Sequence, residues 1–122
     1  MKTKFCASWK SSIQPRKQRK YIYNCPLHIK RKFLKCNLSK FLRKDIKKRN
    51  IVVIKGDKIR VMRGNFKDKE GIVKNTDIKK TKIYVEEIKK KEKKGKEIFV
   101  PLNPSNVQII ELNLKDTKRI NK

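Results

Sequence analysis

Acidic residues are scarce in this chain: 11 Asp and Glu stand against 37 Lys and Arg in 122 residues, leaving a formal net charge of +26. A compact state carrying that excess repels itself, so a polyanion that cancels it is close to a requirement. Nucleic acid is the first candidate and an anionic membrane surface the second. Histidine occurs once and cysteine three times, at Cys6, Cys25 and Cys36. An odd count at wide spacing offers neither a disulfide framework nor paired zinc ligands, so no metal is expected and the thiols read as free groups in a reducing cytosol. No Gly-rich phosphate cradle and no Ser-His-acid or Cys-His arrangement is present. Glu86 and Glu87 are adjacent on an expected strand, so they point to opposite faces and make no acid/base pair. Neither catalysis nor a cofactor is expected. No run of about 18 apolar residues exists, which excludes a spanning helix. The first ten residues lack the apolar segment of a secretory signal, and the expected location is the cytoplasm.

What is there is uneven. Residues 1–50 hold 17 basic residues and one acidic residue, Asp45, whereas residues 51–122 hold 20 and 10. The shift near Asn50 separates an almost purely basic N-terminal arm (1–50) from a mixed-charge, strand-rich domain (51–113) and a short tail (114–122). Within the arm, residues 1–23 carry too little apolar surface to offset the entropy of ordering, and an unstructured segment is expected for the isolated chain. Arg16, Lys17, Arg19 and Lys20 form its densest charge run, expected to order on RNA. Trp9, Tyr21 and Tyr23 either stack on bases or pack on the arm's own helices.

Two short helices are expected next. Pro26 suits the first turn of one running to about Lys35, leaving Lys30, Arg31, Lys32 and Lys35 for phosphate. Asn37 is a good N-cap for a second from Leu38 to about Ile46, with Leu38, Phe41 and Leu42 at helical spacing and Lys40, Arg43 and Lys44 outside that stripe. Such basic amphipathic helices also suit a membrane surface, and a helix-turn-helix lacks the helix length and polar base-reading set it would need. His28 either caps its helix or contacts RNA.

Beyond Asn50 the pattern changes to period two. Strands are expected at Lys58–Met62, Gly71–Asn75, Lys82–Ile88, Glu97–Val100 and Asn106–Glu111, with Lys89–Lys96 a charged tip of a long hairpin. Five short antiparallel strands with one-sided apolar alternation suggest a mainly β fold, a small SH3-like barrel. The most informative stretch is Asp57–Val73, read as strand, tight turn, strand. Gly64 and Gly71 bracket a loop that is polar except for Phe66, and they let backbone amides approach phosphate oxygens. Arg60 and Arg63 stand on opposite faces by strand parity, and Lys67 and Lys69 sit in the loop. Phe66 either plugs the barrel end or stacks on a base.

The Asp57–Val73 stretch resembles the KOW motif. In the same order along the chain, Pro15-Arg16-Lys17-Gln18-Arg19-Lys20, Asn24-Cys25-Pro26-Leu27-His28, Leu38-Ser39-Lys40 and Pro101-Leu102-Asn103-Pro104-Ser105-Asn106-Val107 resemble the large-subunit ribosomal protein twenty-four family in its archaeal form, counterpart of twenty-six in eukaryotes. The resemblance spans roughly Pro15 to Asn113. It implies a KOW barrel, binding to large-subunit ribosomal RNA, early subunit assembly and a place near the peptide exit tunnel. Neighbouring ribosomal proteins, and nascent-chain factors meeting the Lys89–Lys96 tip, are the other implied partners. Ser105 and Asn106 join the expected RNA contacts on this ground, and His28 is favoured as one. A KOW-type transcription elongation or RNA-processing factor is the alternative. The family pattern usually has glycine where this chain has Asp68. Asp tolerates the left-handed conformation, so the turn survives, but it sets a negative charge beside the expected contact.

Overall fold

A computed structural model describes residues 5–121. In the arm, Pro15 opens helix α1 (Pro15–Asn24) at a position where its missing N–H costs nothing. Helix α2 (Leu27–Lys30) starts from Pro26, whose carbonyl accepts from the amides of Ile29 and Lys30 at 3.0 Å. It tightens into a 3₁₀ turn (Arg31–Leu34) and then into strand β1 (Lys35–Leu38). Helix α3 (Lys40–Ile46) is capped by Ser39, whose Oγ accepts from the Leu42 amide.

Two expectations for the arm are corrected here. Helix α1 falls in a segment expected to lack structure, although residues 1–4 of that segment lie outside the described residues. The second helix starts after Ser39 rather than after Asn37, because residues 35–38 are a strand. Cys36 and Leu38 are buried while Lys35 and Asn37 are exposed, a period-two pattern that a helix could not produce.

The remaining elements are β2 (Asn50–Val52), β3 (Lys58–Val61), β4 (Glu70–Asp77), β5 (Lys82–Val85), β6 (Lys89–Lys91), β7 (Glu97–Phe99), β8 (Val107–Glu111) and α4 (Lys118–Asn121). Six strands form one sheet in the order β2-β1-β8-β3-β4-β5, and β6 and β7 make a separate hairpin. Strand β1 is antiparallel to β2 and parallel to β8, which in turn is antiparallel to β3. The core gathers alternate residues of these strands: Leu34, Cys36 and Leu38 with Ile51, Val53, Ile59, Val61, Val73, Ile83, Val85, Val107 and Ile109. Burial pushes the Cys36 thiol pKa up, with the charge of Asp57 adding to it, so this sulfur is a packing group and not a nucleophile.

A small β domain is thus present, and each expected strand lies within a few residues of its place. The pairings draw an open ladder, however, where a closed five-stranded barrel was expected. Strand β5 pairs with the segment after β7 through an isolated bridge between Ile83 and Leu102, whose backbones exchange two bonds of 3.0 and 2.9 Å. Pro101 supplies no amide and Pro104 begins a 3₁₀ turn, so the pairing stops there. The long hairpin is likewise broken at Glu86-Glu87, where the Glu86 amide bonds to Ile72 instead.

Strand β2 is a sheet edge, and α4 covers it. Arg119 donates to the Val52 carbonyl at 3.1 Å, and its two terminal nitrogens grip both oxygens of Asp57 at 2.7 and 2.6 Å. The pair is buried, with side-chain exposures of 6% for Arg119 and 0% for Asp57. Asp57 also accepts from the amides of Ile54 and Asn113, so its four contacts fill the capacity of an ionised carboxylate. The tail is therefore stapled onto the domain by a bidentate charge pair.

Candidate nucleic-acid interface

The β3–β4 turn is built by short backbone bonds. The Asp68 amide donates to Val61 at 2.8 Å, the Val61 amide to Lys69 at 2.9 Å, and the Lys67 amide to Gly64 at 3.2 Å. Such a turn needs left-handed residues, and it has two: Gly64 at φ 98° and Asp68 at φ 65°. Asp68 thus takes the conformation expected of it in a place that suits glycine. Arg63, Lys67 and Lys69 are exposed around this turn. Phe66 is half-buried against the core, with the Lys69 ammonium 5.2 Å from its ring centre, so it plugs the domain end. The Met62 amide donates to Asn106 at 2.7 Å, which brings Ser105 and Asn106 to the base of the same turn.

Two candidates here are not what the sequence suggested. Gly71 is buried, and an added Cβ would stand 2.5 Å from Val85 Cγ1 and closer still to Glu87 Oε2, which accepts from the Ile72 amide. Its glycine answers a packing need inside the fold and not an approach to phosphate. A Gly71→Ala substitution is expected to cost about 1–3 kcal/mol by overpacking, read as a lower urea midpoint at unchanged slope; an unshifted midpoint would show that Val85 and Glu87 both move aside. Arg60 is exposed, but it holds Glu70 Oε1 through two nitrogens at 3.0 and 2.6 Å. Lys58 shares that carboxylate and reaches Glu111 at 3.4 Å. The hydrogen bond from Arg60 keeps the Glu70 carboxyl below its ordinary range. Positive charge on this face is cancelled within the chain.

The arm is different. Arg16, Lys17, Arg19 and Lys20 are all exposed on α1, which buries no residue. Lys40 and Lys44 are exposed on α3, while Arg43 is half-buried with its Nε lacking a partner. Trp9 stacks on Tyr21 at 4.4 Å, and Tyr21 meets Phe5 at 5.2 Å and Phe33 at 6.5 Å. These rings are spent on one another, whereas Tyr23 is 81% exposed and available to a base. Lys30 is half-buried, and His28, Arg31 and Lys32 line one side of a concavity of about 680 Å³. Its other side carries Lys48 and Lys118, which sequence reasoning did not select. Only the overall charge of the arm and the tail hinted at them, and nothing local tied residue 118 to residue 28.

Among the described residues no three His, Cys, Asp or Glu side chains gather as a metal ion would require, and no helix is long and apolar enough to cross a membrane.

Comparison with known proteins bears directly on this arrangement. A family model that describes the ribosomal proteins L26 of eukaryotes and their archaeal L24-type counterparts matches residues 12–122. The chain is 44% identical over 110 residues to the large ribosomal subunit protein uL24 of Methanocorpusculum labreanum, covering 90% of this chain and 91% of that one.

Proposed function

The chain belongs to the ribosomal protein family that takes in L26 of eukaryotes and its archaeal L24-type counterparts, and from that membership we propose that it binds large-subunit ribosomal RNA through its basic arm and β3–β4 turn. As a member it is a structural constituent of the large subunit, in the cytoplasmic ribosome. The observation that carries the RNA-binding reading is the arm itself: 17 basic residues against one carboxylate in residues 1–50, with Arg16, Lys17, Arg19 and Lys20 all exposed. Phosphate is the group that such a surface neutralises, and lysine-rich contacts position a protein on folded RNA without reading sequence. The +26 left after pairing within the chain keeps the RNA-free protein self-repelling, and the proposed role in early assembly rests on that.

The direct test is sedimentation of a lysate on sucrose gradients in low and then high salt. Cosedimentation with the large subunit that survives high salt is expected of an integral protein with an arm threaded into RNA. Recovery in light fractions, or stripping at modest salt, would make it a peripheral factor and favour a KOW-type transcription protein.

A location near the peptide exit tunnel is part of the same proposal, with the β6–β7 hairpin as the surface offered to nascent-chain factors. Lys89, Lys90 and Lys91 are all exposed on β6. Alanine at Lys90, Lys91, Lys93 and Lys94 is expected to leave cosedimentation intact and weaken factor retention on isolated subunits. Retention at wild-type levels would remove that role.

A further inference from the structure

In the concavity beside β2, two chain-distant segments, 28–35 and the tail, deliver basic side chains to a common space. Arg31 and Lys32 come from the α2–3₁₀ turn, with the His28 imidazole beside them, Lys35 from β1, and Lys118 from α4, over a floor of Ile51 and Val52. At about 680 Å³ it is far larger than one bound ion needs and within the range of sites that take a ligand of several groups. The one carboxylate on its lining, Asp116, is turned to its own helix, where Oδ1 accepts from the Lys118 amide at 3.2 Å. Among the described residues none of Arg31, Lys32, Lys35 and Lys118 pairs with an acidic side chain, whereas Lys58, Arg60 and Lys89 all do. Like charges facing one another across a cleft cost free energy unless an anion lies between them, and low-dielectric walls focus the field there.

We propose that this groove is a phosphodiester-gripping site for ribosomal RNA, distinct from the β3–β4 turn, in which one stretch of backbone lies between the 28–35 segment and α4. The assignment rests on the RNA-binding reading above and makes it specific. One wall is held in place by Arg119 bound to Asp57 and Val52 and by Lys48 donating to the Ile120 carbonyl, so docking of the tail and formation of the site are one event. Arg31 offers a bidentate fork to a phosphate, and the lysines act as point charges along the same strand.

The test titrates the full chain against a labelled large-subunit ribosomal RNA transcript at several KCl concentrations. Lys35→Glu combined with Lys118→Glu reverses one exposed charge on each side of the groove. Lys90→Glu with Lys94→Glu makes the same net change on the β6–β7 hairpin. The groove variant is expected to lose roughly 10- to 100-fold in affinity and to flatten the slope of log K against log salt by about two, with the hairpin variant losing less than about threefold. Equal losses in both variants would mean a diffuse charge effect and overturn the site while leaving RNA binding intact. A wild-type chain that fails to bind the transcript would instead remove the RNA-binding reading, and the groove assignment with it.

Discussion

An Arg119→Met variant is expected to unfold roughly 10–20 °C below the wild type, a loss of about 3–5 kcal/mol. Methionine keeps most of the apolar bulk, so the effect is that of stranding a charge. Asp57 has no exposed surface and would keep only the amides of Ile54 and Asn113 as partners, while the Val52 and Asn113 carbonyls would lose the guanidinium. Removing the carboxylate is expected to be worse. Asp57→Leu leaves two backbone N–H groups and a 6% exposed guanidinium unmatched, each carrying its own desolvation cost. The double substitution is therefore not expected to restore stability, although buried ion pairs can often be replaced by apolar ones, because the two amides would still lack an acceptor. Urea midpoints of the two single variants and the double variant check this. A loss below about 1 kcal/mol for Arg119→Met would mean that water reaches the pair and that α4 is loosely held.

The second large effect concerns the change of composition near Asn50. A chain trimmed to residues 51–122 is expected not to fold, even though it retains most of the strands. It would lack Leu34, Cys36 and Leu38, all nearly inaccessible in the core. Losing β1 would also take away the one strand paired with β2 and one of the two beside β8. Large-to-small replacement of even one such side chain costs about 2–5 kcal/mol, and three are lost together here. Exposing β8 along its β1 side would create an unpaired edge that invites aggregation. A chain restored to residue 31 recovers β1 and is expected to unfold cooperatively. Heat or urea unfolding of the two fragments decides the matter, and a cooperative transition in 51–122 would make Asn50 a folding boundary as well as a charge boundary.

These two expectations fall on features that the sequence concealed. Local chemistry was legible where a turn or a cap demands particular residues. Gly64 and Asp68 both announce left-handed positions, Pro26 stands at a helix start, and the alternation of Ile59 and Val61 marks β3. Strand β1 was hidden because only two of its residues alternate, next to a Ser39-Lys40 sequence that starts a helix well. The purpose of Gly71 was misjudged for a different reason: its neighbours, Val85 and Glu87, come from a different part of the chain, and no local rule reports them. The Asp57–Arg119 pair is the extreme case, since a buried charge and its partner 62 residues later leave no periodic trace. The same limit applies to the groove, whose two sides meet only once the sheet is complete. The expected RNA contacts on α1 required no fold, because an uncompensated charge run reads as such in one dimension.

The order in which the chain is made sets a final constraint. Synthesis delivers Leu38 and Asn37 long before Ile109 and Gln108, the residues with which they pair in parallel. It likewise delivers Asp57 before the guanidinium that neutralises it. Contacts this far apart form slowly, since the chain must close a long loop before any of them is rewarded. Through that interval the nascent polypeptide displays its most basic portion with no sheet behind it and a carboxylate still in water. Whatever greets it then, whether nucleic acid or a chaperone, meets an unfinished molecule, and the last strand and helix to emerge are the ones that complete it.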